Sequence, residues 1–186
     1  MTKKMRCLLT SSLMSLAPSI ALAEQTAILD ADFLSPRHEY VSVKDGAIQL
    51  PVRKEPSEAF VDPATQDFFV YNLTGATLAL HIQSLTGAFI GVRTPYPVPP
   101  LSYGGFQISA PAPAPVVVQQ YAWTVDPANP AGSKTCVWRV EVSAVGGSCT
   151  AQVFFGTYGG AVCTVDSTLS FVDPTTCQTQ LVTNMQ

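Results

Sequence analysis

The chain has 186 residues, of which only 12% are charged, with 13 Asp and Glu against 10 Lys and Arg. An acidic balance without a Lys/Arg cluster outside the first residues excludes nucleic acid and anionic membranes as partners. Beyond the N-terminal stretch no segment approaches the roughly 18–20 uninterrupted apolar residues of a spanning helix, so no membrane span is expected.

In chain order, "MTKKMRCLLTSSLMSLAPSIALAEQ" comes first, with a basic start (Lys3, Lys4, Arg6), an apolar middle and a small-residue end at Ala21-Leu22-Ala23. That pattern predicts a secretory signal peptide over residues 1–23, cleaved after Ala23, and hence a secreted, periplasmic or cell-surface product. Residues 24–186 are read as a single domain, long enough for a proper core. Loss of the three leader cations leaves 7 Lys and Arg against 13 Asp and Glu. Charge is then uneven: 14 charged residues lie between Glu24 and Arg93, and six between Thr94 and Gln186. A charge-poor surface fits either small polar groups that keep it soluble or a face covered by a partner.

The next segments carry the acidic and basic candidates. Asp30 and Asp32 in "ILDADF" match the start of a Ca²⁺ loop but lack its Gly and terminal Glu, so no metal site is predicted. His38 in "SPRHEY" and His81 in "LALHIQ" are the only histidines. Each is read as an ordinary polar residue. Glu55, Glu58, Asp62 and Asp67 gather in "EPSEAFVDPATQD", read as a solvated loop rather than a pair for glycoside hydrolysis.

From there strand patterns recur and helical periodicity is missing. "FFVYNL", "TLALHIQ", "GAFIGV", "PVVVQQYAWTV", "CVWRVEV", "CTAQVFF", "AVCTV" and "TLSFV" are the predicted strands. In "TLALHIQ", Leu78, Leu80 and Ile82 share a face; in "CVWRVEV", Cys136, Trp138, Val140 and Val142 do. Many short strands with Gly/Pro turns predict an all-β fold, an antiparallel β-sandwich with a disulfide-stapled C-terminal sheet. A Pro-rich belt, residues 95–115, separates the two halves; its seven prolines are expected to exclude a central strand and to leave polyproline II or edge structure. Val-Asp-Pro occurs at Asp62, Asp126 and Asp173, each time ending a β-type run. The unequal spacing excludes a repeat period, and Asp followed by Pro predicts a turn.

Past the signal peptide the cysteines are Cys136, Cys149, Cys163 and Cys177. Without close Cys pairs or a nearby His they suit neither zinc nor thiol redox chemistry, and an even number in an exported chain predicts two disulfides. A hairpin turning at Gly146-Gly147 sets Trp138 opposite Phe155 and puts Cys136 roughly 26 Å from the Cys149 level. That is too far for a bridge. A second turn at Gly159-Gly160, bringing Cys163 opposite Gly156, favours Cys136–Cys163 with Cys149–Cys177.

No catalytic motif is present: G-x-S-x-G, H-E-x-x-H, a P-loop and a dinucleotide fingerprint are all missing. Neither a catalytic residue nor a cofactor is predicted. The expected function is an exported non-enzymatic structural or interaction protein, a self-assembling cell-surface subunit whose partner is protein or itself. The alternative is an extracellular binding module for glycan or a secreted enzyme. Its contacts would be Tyr103 and Phe106 in "LSYGGFQ" and Tyr158 in "GTYGGAV", where glycines free a loop to expose an aromatic. A small hydrolase built on His38 or His81 ranks third. An outer-membrane barrel is disfavoured by the prolines, the bridges and the polar ending "LVTNMQ".

Overall fold

The computed structural model describes residues 47–54, 63–111 and 116–186. The signal peptide, Asp30, Asp32, His38, Glu55, Glu58 and Asp62 lie outside the described residues. Among the described residues run β1 (Ile48–Gln49), β2 (Ala64–Asn72), β3 (Ala79–Leu85), β4 (Ala88–Arg93), β5 (Tyr103–Ala110), β6 (Val116–Thr124), β7 (Thr135–Ser143), β8 (Thr150–Tyr158), β9 (Cys163–Val165), β10 (Phe171–Val172) and β11 (Thr179–Met185). Sheet one has the order β1-β8-β7-β6-β3, and sheet two β10-β11-β2-β5-β4, with β9 also against β11. The two face each other across one core, which makes the fold the expected β-sandwich.

Alternation explains why these segments are strands. On β7, Cys136, Trp138, Val140 and Val142 are buried in the core, while Arg139 and Glu141 pair on the outer face at 2.6 Å. Ala151 and Val153 of β8 join them, and Phe155 packs its ring 5.4 Å from Trp138. The β7–β8 register sets Trp138 opposite Phe155, and the turn between them passes Gly146 and Gly147 at φ 76° and 81°. Those values suit glycine and little else.

The Val-Asp-Pro turns form as expected at the two sites described in full. Asp126 accepts from the Ala128 amide through its carboxylate at 2.9 Å, and its carbonyl accepts from Asn129 at 3.2 Å. Asp173 does the same with the amides of Thr175 and Thr176, both at 2.9 Å, and through its carbonyl with Cys177 at 3.1 Å. A third Asp, in "VDST", is held alike: Asp166 accepts from Thr168 and Leu169.

Both disulfides have the expected partners, Cys136–Cys163 and Cys149–Cys177. The route differs. The Gly159-Gly160 turn does not fold β9 back beside β8. It carries the chain across to the other sheet, where β9 pairs with β11. Cys136 and Cys163 therefore meet through the core, with Cα atoms 5.8 Å apart, and the bridge ties one sheet to the other. Two such bridges set the folded chain in an oxidising environment.

One further expectation is corrected. The Pro-rich belt contains a central strand: β5 lies between β2 and β4, with Phe106 and Ile108 fully buried. Its prolines stop at Pro100 and resume at Pro111, leaving a clear window in which amides can join a ladder. Within it Gly104 and Gly105 are not turn residues. A Cβ on Gly105 would collide with the Phe68 carbonyl, and one on Gly104 with the Val98 side chain. The C-terminal "QLVTNM" is also a central strand, and it pairs parallel to β2 from Thr179↔Gln66 to Met185↔Asn72. Its polar residues sit where another chain segment answers them, as Thr183 does by donating to the Phe69 carbonyl at 2.8 Å. Ile82 shares the inward face with Leu80, as expected, opposite the core residue Tyr121; the β3–β6 register shifts only beyond it, between Ile82 and Ser84, and Ile82 remains 41% exposed.

Candidate functional site: an open flank between the sheets

The two side edges of the sandwich are finished differently. On one, β1 pairs with β8 through Ile48 and Gln49, and the Leu50 amide continues to the Ala151 carbonyl at 2.9 Å. Two residues on, Val52 bridges to Val172 of the other sheet. One short segment thus seals the edges of both sheets. Arg53 finishes the seam: its guanidinium lies 4.6 Å from the centre of the Phe171 ring and 3.8 Å from the buried Asp173 carboxylate. Of the two disulfides, Cys149–Cys177 joins the segments that lead into β8 and β11, and Cys136–Cys163 joins the start of β7 to β9.

The opposite side is edged by β3 and β4, the terminal strands of the two sheets. They are joined by the tight corner Thr86-Gly87, where Gly87 has φ 115° and no room for a Cβ against the Ser109 carbonyl. The corner is clamped from inside. The buried Gln119 accepts from the Thr86 amide and donates to the Thr86 carbonyl and to Gln66 Oε1, all at 2.9 Å. That last bond links the two sheets. At the far end the chain crosses back from β4 to β3, where Leu78 and Val98 exchange both backbone bonds at 2.9 Å. The buried Asn72 holds this crossing by donating to the carbonyls of Ala76 and Val98, at 2.8 and 2.9 Å. The Tyr96 hydroxyl accepts from the Leu80 amide at 3.3 Å.

Corner and crossing frame a slot about 20 Å long, six residues at roughly 3.3 Å each. Directly opposed residues in a ladder share a face. Phe89 is opposite Ile108, Val92 opposite Phe106, and Ile82 opposite Tyr121. All three partners are core residues, so Phe89, Val92 and Ile82 point between the sheets. Yet they are 44%, 41% and 41% exposed. Ile90, at the irregularity in the β4–β5 register, is exposed on the strand itself. Core-directed side chains here meet solvent because, among the described residues, no strand covers the gap.

The contacts expected from the sequence fall elsewhere. Phe106 is fully buried, with its ring 5.0 Å from Phe68 and 4.8 Å from Tyr121, so it is a core residue and not a surface contact. Tyr103 is half exposed on the outer face of sheet two, but its ring stacks on Tyr71 at 4.5 Å. Tyr158 ends β8 and is partly buried. His81 lies on β3 opposite Ala122. Asp67 accepts from Arg93 and from Gln107 on the outer face. Among the described residues no group of three or more His, Cys, Asp or Glu is placed to hold a metal ion, and no helix is long and apolar enough to cross a membrane. Burial pushes the Tyr121 phenol well above its ordinary pKa, and its hydroxyl has no hydrogen-bond partner.

In the sequence "GAFIGV" reads as one more strand, and the flank is not identified. The available signal was its lack of alternation: Ala88, Phe89, Ile90 and Val92 are apolar on both faces of a strand that ends a sheet. The chain matches no protein-family model, no curated protein and no solved structure.

Proposed function

We propose that this chain is an exported, non-enzymatic structural or interaction protein that assembles at a cell surface. Its docking element is the β3–β4 flank, which takes up an extended segment of a protein partner as an added strand. The observation that carries this reading is the exposure of Ile82, Phe89 and Val92, which point into the core and have no strand over them among the described residues. Apolar surface left in water costs about 25 cal/mol per Å², so a cover for the slot is favoured. An uncovered strand edge also offers alternate amides and carbonyls for main-chain pairing. The charge-poor C-terminal half, the lack of enzyme motifs in the sequence and the two disulfides agree with an extracellular, non-catalytic role. The glycan-binding alternative has less support, because the ring of its half-exposed tyrosine, Tyr103, stacks on Tyr71.

Light scattering of the oxidised, exported protein across a concentration series, with negative-stain images of the same sample, tests the proposal. Oligomers that grow with concentration, and that are lost in Phe89→Ser, are expected. A monomer at every concentration would sink self-assembly. Oligomers indifferent to Phe89→Ser would sink the flank as the docking element.

A further inference from the structure

We infer that the occupant of the open flank is the segment Ala27–Phe33 of a second copy of this chain, which makes the assembly head-to-tail. The inference rests on the reading of the flank as a strand acceptor. Its first support is sequence pattern. In "AILDADF", Ala27, Leu29, Ala31 and Phe33 alternate with Ile28, Asp30 and Asp32. Apolar residues at every second position with carboxylates between them mark a strand buried on one face only. Seven residues span about 23 Å, which matches the roughly 20 Å of β4. Laid along β4, the apolar row enters the slot beside Phe89, Val92 and Ile82, and the two carboxylates face outward.

Charge gives the second support. Arg93 ends β4 on the outer face, opposite Gly105, and its side chain is 45% exposed beside Asp67. An added strand would place Asp30 and Asp32 on that same face, within reach of this guanidinium. The acidic pair that makes a poor Ca²⁺ loop thereby acquires a role.

Topology gives the third. The described chain starts at Ala47, next to β1, and β1 and β3 are the opposite ends of sheet one. The chain that precedes Ala47 therefore joins the sandwich on the flank opposite the acceptor, with about 19 Å of sheet between them at 4.8 Å per strand. The fourteen steps from Phe33 to Ala47 reach up to about 46 Å when extended, enough to enter a neighbour set flank against flank. Donor on one side and acceptor on the other is a heterologous contact. It does not close on itself, so growth continues.

Two full-length exported variants separate this inference from the reading beneath it. Phe33→Asp spoils the donor and leaves the flank intact; Ile90→Lys, at an exposed position, charges the flank and leaves the donor intact. Unchanged circular dichroism and melting of each variant establish that both fold. Each alone should be monomeric where the wild type assembles, with association weakened roughly tenfold or more. Mixed, they should form a one-to-one heterodimer, since one intact donor then meets one intact acceptor. Assembly lost in Ile90→Lys but kept in Phe33→Asp would overturn the occupant while the flank remained the docking element. Assembly kept in both would overturn the flank as well. If both are monomeric and no heterodimer forms on mixing, the segment serves its own chain and the head-to-tail inference fails.

Discussion

The two flanks of this sandwich are built from the same apolar strand residues, and one is locked while the other is left open. At the locked flank Leu50–Arg53 binds both sheets, Val172 is fully buried, and Asp173 is folded under Arg53. At the open flank the equivalent apolar positions, Ile82, Phe89 and Val92, face the core but remain in contact with water. The contrast teaches that exposure here is not a failure of patterning. The frame around the slot is one of the best-satisfied parts of the molecule, with Gln119, Asn72 and Thr74 all hydrogen-bonded. Buried amides cost free energy unless every donor and acceptor is met, and these are met. The slot is thus rigidly framed by the described residues and is not a frayed edge.

The largest test of the comparison removes a staple between the two sheets. Cys136→Ala with Cys163→Ala opens a link spanning 27 residues, which loop-closure entropy values at about 3.5 kcal/mol. Denaturant unfolding should record a loss of that size. Assembly measured well below the unfolding midpoint should persist, because the flank frame holds through Gln119 and Asn72 and needs no disulfide. Loss of assembly at full secondary structure would show that the open flank depends on that staple.

A matched pair of truncations sharpens the same point. Val172→Ala and Val92→Ala delete the same atoms, one from a position with 0% exposure and one with 41%. The first should cost about 1–2.5 kcal/mol of folding stability, as a buried cavity does, and the second about 0.5 kcal/mol. In the assembled state the order should narrow, since Val92 is then covered. Equal losses in the isolated chain would mean that the open flank is already filled.

Much of sheet one was legible in the sequence and much of sheet two was not, for identifiable reasons. "CVWRVEV" and "CTAQVFF" alternate cleanly around a Gly-Gly turn, so faces and register follow from local pattern, whereas Cys163 reaches Cys136 only because β9 crosses to the other sheet, which no local pattern shows. β5 and β11 lack that clarity. β5 sits between proline clusters and contains paired glycines whose value is close approach to Phe68 and Val98, residues far off in sequence. β11 carries Thr179 and Thr183 at buried positions, satisfied by the Cys177 and Phe69 carbonyls. Polarity answered at long range looks like a loop when only neighbours are read. The open flank was invisible for a related reason: a strand is recognised locally, but whether it ends a sheet depends on topology.

The smallest expected effect concerns a loop on the locked side and serves as its control. The Thr168 hydroxyl, which donates to Asp166, is the main influence holding its carboxyl below the usual carboxylate range; burial opposes it, and the backbone amides of Thr168 and Leu169 add to it. A carboxyl whose pKa is lower folded than unfolded adds stability above the unfolded value, and that stability disappears as pH falls through the folded one. Wild-type stability should therefore decline from about pH 4 downward, near the ordinary carboxylate pKa. Asp166→Asn should show a shallower decline there, with a nearly unchanged midpoint at neutral pH, because the side chain is exposed and screened. Assembly should not respond, since Asp166 precedes β10 at the flank remote from β4. A pH-dependent change in oligomer mass specific to Asp166 would place this loop in the interface and break the division between a locked side that holds the fold and an open side proposed to take a partner.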